Sequence, residues 1–296
     1  MKDYDIFIFG NLSIGTIQTV DGEHMILGGP ISLSTWTAHQ LGRSVGMLTK
    51  SSLKDKFHLQ NFPLAEEDIF WFESPETTKN KALFQTKTRE TRVLTNQSQA
   101  GPFTIEQFPD ISAKVIQHCS AIAGEIDLEI IRFLSNKFPM ALDAQALMRK
   151  VFPDGTAEYT DLDDKLEILP LVSYFKVDAT EAAILTGFDT ETHEGRVSAA
   201  EKIVEWGAKE SVISHHRELI AVTESGVVFS PFKNRNLLGR TGRGDTSFTT
   251  YITERLTKNS ADAVKYAAAL TSLKMEIPGP FKKTRQDVEA FIRDFY

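Results

Sequence analysis

The stretch Leu238-Gly239-Arg240-Thr241-Gly242-Arg243-Gly244-Asp245-Thr246-Ser247-Phe248 gathers the residue types best suited to chemistry in this chain. Two glycines flank Arg243, and an aspartate follows where apolar residues begin to recur, at Phe248, Tyr251, Ile252 and Leu256. That spacing predicts a helix starting near Asp245 or Thr246. A glycine-rich turn feeding a helix presents free backbone N–H groups at the positive end of the helix dipole, which suits a phosphate. Asp245 then has two readings: a cap for the helix, or a general base beside an anion hole. The local pattern leaves both open.

A scaffold has to position these groups. A chain of 296 residues suits one large α/β domain, with or without a small appendage, or two average domains. The composition, 41% hydrophobic and 25% charged, is that of an ordinary globular protein. A net charge of −7 with scattered lysines and arginines argues against nonspecific nucleic-acid binding. Cys119 is the single cysteine, so no intrachain disulfide or cysteine metal cluster can form. No apolar run approaches ~18 residues, which removes a transmembrane helix. Asp3 and Asp5 at the N-terminus, without a signal-peptide core, lead us to expect a cytoplasmic protein.

The run 5–10 reads as a buried, parallel first strand ending in glycine. The following segment, Gly10-Asn11-Leu12-Ser13-Ile14-Gly15-Thr16, has the gap of a Walker A loop without its lysine, and it is not G-x-G-x-x-G. P-loop and dinucleotide-binding readings both weaken. A hairpin is expected around Asp21-Gly22, then a helix over 32–41 after Gly28-Gly29, which taken alone is a strand-to-helix turn. Segments 69–73, 82–87 and 92–95 read as strands. From about residue 104, short apolar runs at 120–124, 140–142, 175–177 and 211–213 alternate with helical patterns, the rhythm of a parallel sheet covered by helices. Ligands then gather at the carboxyl ends of the strands, where Glu125, the Asp143–Arg149 segment and Asp178-x-x-Glu181 fall. Arg149 is either a phosphoryl partner or an arginine on a solvated helix start. Asp178 and Glu181 have capping-box spacing, and the same carboxylates can face a phosphate site. His215 and His216, on an extended chain, would point to opposite faces, which disfavours a shared metal. An alanine-rich helix is expected over 260–275, and Thr284-x-x-Asp287 caps a terminal helix.

Thr241-Gly242-Arg243-Gly244-Asp245 resembles the T-G-x-G-D signature of the ribokinase-like (PfkB) carbohydrate kinases. The resemblance implies that Asp245 deprotonates the substrate hydroxyl and that Gly242, Arg243 and Gly244 form the catalytic turn around the transferring phosphoryl group. Ser214 and Thr241 would join Gly242 and Gly244 on the nucleotide side. Two positions depart from the pattern: Gly239 stands where an acidic residue is common, and Arg243 where a small one is usual. Gly28-Gly29 is similar to the family's paired glycines that approach the substrate. Asn11 falls at a substrate contact, while Gly15 replaces a substrate-binding aspartate. Asp143-Ala144-Gln145-Ala146-Leu147-Met148-Arg149 resembles the D-x-Q-G-x-x-R motif of a branch that includes inositol kinases and archaeal sugar or nucleoside kinases. It implies that Gln145 and Arg149 serve the substrate or phosphate side. Asp178-x-x-Glu181 matches N-x-x-E with Asp for Asn and implies a magnesium site. At 214–219 the family's glycine-rich nucleotide loop is replaced by a segment carrying His216 and Leu219.

The resemblance covers nearly the whole chain. It implies one domain over 1–296: a doubly wound, mostly parallel α/β sheet flanked by helices, with a small β-sheet lid from segments 12–27 and 70–96. The expected activity is transfer of the γ-phosphoryl group of ATP, with Mg²⁺, to a hydroxyl of a sugar, an inositol-like polyol or a nucleoside. An open lid leaves a strand edge, which proteins cover, so a homodimer through the lid is expected. The alternative is a catalytically degenerate ligand-binding or regulatory relative. The altered histidine loop and the missing acids at 15 and 239 favour it; Asp245 with both glycines opposes it.

Overall fold

The structure is a computed structural model that describes residues 2–20, 22–27, 29–84 and 92–296. Its two main sheets are built, in chain order, from β1 (Ile6–Phe9), β2 (Ser13–Thr19), β3 (Gly22–Leu27), β4 (Val45–Ser51), β5 (Ile69–Glu73), β6 (Thr78–Phe84), β7 (Arg92–Ser98), β8 (Ile116–His118), β9 (Met140–Asp143), β10 (Tyr174–Asp178), β11 (Glu210–Ser214), β12 (Glu218–Thr223) and β13 (Gly226–Pro231). The longer helices are α1 (Gly29–Gln40), α2 (Leu128–Ser135), α3 (Ala179–Thr186), α4 (His193–Glu205), α5 (Arg243–Arg255), α6 (Ser260–Met275) and α7 (Arg285–Phe295).

Side-chain alternation along β1 explains the layering. Phe7 and Phe9 enter a core shared with α2, α3 and α4, whereas Ile6 and Ile8 enter a second core shared with α1, α5 and α6. The nine-stranded sheet runs β13-β12-β11-β10-β9-β8-β1-β4-β5. It is parallel from β11 to β5, with β12 and β13 added antiparallel at one edge. A strand buried on both faces needs the continuous apolar run that β1 has.

The period of two also sorts the polar groups. Ala141, Tyr174 and Val212 face the α5 side, so Asp143, Lys176, Asp178 and Ser214, at even spacing from them, share that face. Register sets them side by side: Asp143 opposite Lys176, and Asp178 opposite Ser214. Above them lies α5, held by fully buried Phe248 and Ile252 and by the Tyr251 hydroxyl, which donates to Glu210 Oε2 at 2.5 Å. In α6, Ala263, Ala267, Ala268 and Ala269 are buried and allow close packing, while Ala261 is exposed.

Several expected boundaries shift. Segment 69–73 is a strand, but it closes the edge of the large sheet beside β4 and takes no part in the four-stranded sheet β3-β2-β6-β7. Its alternate residues, Ile69 and Trp71, pack on the second core, which a polar turn on either side could not predict. Residues 85–87 of the expected strand 82–87 lie outside the described residues; β6 begins earlier, at Thr78. Segment 120–124 is no strand; the strand is β8, and the apolar run after it turns back where Ser120 Oγ bonds the Ile122 carbonyl and Gly124 adopts φ +98°. Helix α1 starts at Gly29, three residues early, because Pro30 suits a helical first turn. Among the described residues, no helix is long and apolar enough to cross a membrane.

Phe248 anchors α5 over the sheet. Phe248→Ala is expected to cost about 3–5 kcal/mol, read as a lower urea midpoint at unchanged slope; a loss within experimental error would mean that α5 is held elsewhere.

Candidate active site

The turn before α5 is shaped by two glycine constraints. Gly242 caps the helix at φ +86°, and a Cβ there would lie 2.6 Å from Leu33 Cδ1. A Cβ on Gly244 would sit 3.0 Å from Lys176 Nζ and 3.9 Å from Ser214 Oγ. The absent side chain therefore lets the first turn of α5 descend onto the strand ends. Asp245 is the third residue of α5, so it is not the cap of that helix. Among the described residues, the Gly242 and Gly244 amides have no carbonyl acceptor, which leaves donors at the positive helix end.

Below this turn, Lys176 is almost wholly buried. Its Nζ donates to Asp143 at 3.1 Å and lies 3.6 Å from Glu181 Oε2. Burial alone would lower the pKa of the ammonium, but Asp143, Glu181, Asp178 and Asp245 outweigh it and hold the group above its ordinary range. One ammonium cannot neutralise every carboxylate around it. Asp143 has the hydrogen bond, and Glu181 is left with a raised carboxyl, chiefly through burial. Asp245 keeps some exposed surface, yet burial and then the neighbouring Asp143 charge push its carboxyl up to about 6. A carboxylate near neutrality, open to a ligand and beside unpaired amides, can accept a proton from a hydroxyl while those amides hold an anion.

Asp178 and Glu181 form a reciprocal capping box at the start of α3, with Glu181 N donating to Asp178 at 2.8 Å and Asp178 N donating to Glu181 at 2.6 Å. Glu181 Oε1 is buried without a partner among the described residues, and such an orphan oxygen fits a cation or its water. Among the described residues, no three His, Cys, Asp or Glu side chains converge as a cage. A cation here would thus be held by one or two carboxylates plus ligand phosphate oxygens, as magnesium commonly is.

On the other side of the turn, Arg243 Nε and Ser214 Oγ are buried without hydrogen-bond partners among the described residues. Burial, then Arg240, lowers the Arg243 guanidinium to about 10, so it stays charged at neutral pH. His215 and His216 do not point to opposite faces. Their ring centroids are 3.8 Å apart, because the chain turns there: the His215 amide bonds the Glu218 carbonyl. Burial, with Arg196, His216, Arg243 and Arg217, pushes His215 down to about 4, leaving it neutral. Thr241 is exposed and offers its carbonyl to Lys274.

Asn11 lies just past the end of β1, its backbone N–H donating to Glu125 Oε2 at 3.0 Å and its Oδ1 buried without a partner among the described residues. His118 Nε2 stands 3.6 Å from the same Glu125 oxygen, with both ring nitrogens lacking hydrogen bonds among the described residues. Gly29 opens α1 at φ +56°, with Ser13 2.8 Å from where a Cβ would be; Gly28 lies outside the described residues. Gln145 donates to the Ser120 carbonyl at 3.0 Å. Arg149 is not on a solvated helix start: it is buried, opens the short strand Arg149–Val151, bonds the Ala121 carbonyl and the Tyr159 hydroxyl, and stacks on the Tyr159 ring. Sequence reasoning missed Lys176 and Lys274. A lysine flanked by Phe175 and Val177 in a buried strand was the available signal for the first.

The sequence model of the pfkB family carbohydrate kinases matches residues 57–283. The chain belongs to that family. The kinase is accordingly a phosphotransferase with an alcohol group as acceptor, on a ribokinase-like α/β fold. Solved structures agree. A pyrophosphate-dependent kinase of the ribokinase family, bound to sulfate, has 28% identity and a TM-score of 0.85 over 96% of this chain and 99% of its own. A pyrophosphate-dependent myo-inositol-1 kinase converted by two substitutions into a myo-inositol-3 kinase has 28% identity and a TM-score of 0.84, covering 98% and 99%. Arabidopsis thaliana ribokinase, complexed with ribose and ATP, shares the fold at 14% identity and a TM-score of 0.77, covering 99% of both chains. No curated protein matches the kinase by sequence.

For Asp245 as the base, the carboxyl must be ionised to act. The rate constant kcat/KM is therefore expected to rise with pH through about 6 and level off above it. Asp245→Asn is expected to slow the chemical step roughly 10²–10⁴-fold with little change in donor affinity. A flat profile together with undiminished turnover in the variant would leave Asp245 as a residue of the helix only.

Proposed function

We propose that this kinase transfers a phosphoryl group from pyrophosphate to a hydroxyl of a small cyclic polyol of the inositol kind. The observation that carries the donor assignment is Arg243, a half-buried, charged side chain at the mouth of the anion-binding turn whose buried Nε has no hydrogen-bond partner among the described residues. Pyrophosphate has no base or ribose to grip, so affinity must come from cations and amides against its oxygens. Arg243 with Ser214, near the adjacent rings of His215 and His216, supplies such a surface where the family's nucleotide loop has glycines. Similarity to pyrophosphate-dependent kinases supports the same choice. ATP as donor of its γ-phosphoryl is the second reading, favoured by the intact T-G-x-G-D turn.

In this reading the acceptor hydroxyl gives its proton to the Asp245 carboxylate as its oxygen bonds to phosphorus and the bridging oxygen departs. The amides of Gly242, Gly244 and Asp245 hold the transferring oxygens, and Lys176 balances the carboxylates beneath them so that a polyanion can approach. Glu181 and Asp178 would hold Mg²⁺, which supplies positive charge to the phosphate oxygens. Asn11, Gly29, Gln145 and Arg149 would shape the acceptor side. The sheet β3-β2-β6-β7 would act as a lid, its β2 strand leaving directly from the end of β1 at Asn11. The whole chain would act as one domain in the cytoplasm.

Assaying phosphorylated product with pyrophosphate or ATP against inositols, sugars and nucleosides, with Mg²⁺ and with a chelator, tests the assignment. Pyrophosphate with an inositol and Mg²⁺ is expected to give the highest kcat/KM, and Arg243→Ala is expected to lose about tenfold or more of it, the ~1.5–3 kcal/mol of a charge-assisted contact. Faster turnover with ATP would replace the donor, and unchanged kinetics in Arg243→Ala would remove the arginine from the site.

We also propose a homodimer through the lid. The outer edge of β3 has no partner strand among the described residues, and Met25 on it is 68% exposed. Light scattering at micromolar concentration is expected to give twice the chain mass; a monomer would end the idea.

A further inference from the structure

Lys274 sits where a lysine is costly. In the last turn of α6 an exposed lysine would simply answer the helix dipole, but this one is only 2% exposed. Its Nζ turns to another segment, donating to the carbonyls of Gly239, at 2.6 Å, and Thr241. The Gly239 amide in turn donates to the Met275 carbonyl at 2.7 Å, and a Cβ on Gly239 would lie 2.0 Å from the Ile277 carbonyl oxygen. Segment 239–241 is thus drawn against the end of α6 by a backbone hydrogen bond and by a buried charge. Burial lowers the ammonium to about 8, opposed by Asp245, so it remains mostly charged at neutral pH.

Peptide geometry gives this contact a consequence. In a trans peptide unit the C=O and N–H point in opposite directions, and no cis bond interrupts the described chain. With the Thr241 carbonyl fixed on Lys274, the Gly242 N–H must face away from it. That N–H has no acceptor among the described residues and stands two residues before the Gly244 amide, which also has none there. We propose that Lys274 is a positioning residue for phosphoryl transfer: by holding the Thr241 carbonyl it aims the Gly242 amide at the phosphoryl group. The inference rests on the phosphotransfer reading above.

The test compares Lys274→Met, which keeps the stem and removes the donors, with Lys274→Arg, which keeps charge and donors. Turnover, acceptor KM and melting temperature are measured with the donor that the wild-type enzyme uses best. Lys274→Met is expected to lose roughly 10²–10³-fold in kcat, the scale of a lost oxyanion donor, with acceptor KM within about threefold. Lys274→Arg is expected to recover at least about tenfold of that loss. Lys274→Met with kcat near the wild-type value, or Lys274→Arg no better than Lys274→Met at equal melting temperature, would overturn the assignment. If Lys274→Met does not fold, Lys274→Gln decides: a drop in kcat at unchanged melting temperature supports the role, and kcat lost only in step with melting temperature overturns it. Wild-type protein that turns over no donor at all would defeat the phosphotransfer reading itself, an outcome visible before any variant is made.

Discussion

The buried ammonium of Lys176 stands among the carboxylates of Asp143, Asp178, Glu181 and Asp245, with Lys274 adding a second positive charge near Asp245. Carboxylates gathered away from water repel one another and repel any phosphate, and a fixed cation among them relieves both problems. Burial first, and then the negative charge that remains among these groups, raises the carboxyls of Asp245 and Glu181. Glu181 Oε1 lies buried there with no hydrogen-bond partner among the described residues. The rest of the site follows from where Lys176 can stand: on the α5 face of β10, opposite Asp143 in register, under the one residue of α5 that lacks a side chain.

Close approach is the second theme. Gly244 lets α5 meet Lys176, Gly242 turns the chain beside Leu33, and small residues in α6 bring that helix against α5. The glycines flanking Arg243 thus have separate jobs, one conformational and one steric. Arg243 stands between them half-buried, its Nε covered and without a partner among the described residues.

Much of this was legible in the sequence, and what was not had physical causes. The central strands announced themselves as apolar runs, and β9, β10, β11 and α6 fall where periodicity puts them. The capping boxes at Asp178 and Thr284 form as their spacing implies. Segment 69–73 was assigned to the wrong sheet because pairing partners are a tertiary property: nothing local to Ile69 says that β4 will lie alongside it. His215 and His216 depart from the opposite-face expectation because that alternation holds for extended chain, and here the backbone turns. Lys176 and Lys274 escaped because a lysine in sequence reads as surface by default; only their neighbours across the fold show that each is a buried charge with a fixed set of oxygens.

Gly239 carries a consequence of another kind. Its departure from the family's acidic residue looks like a lost function that one substitution could restore. Yet any side chain there would meet the Ile277 carbonyl, and the same loop is tied to Met275 and Lys274. An acid there would require the Ile277 carbonyl to move, and the Lys274 carbonyl, 2.8 Å away, to give as well. Position 239 and the turn after α6 are therefore packed as a pair, and neither can change its size alone.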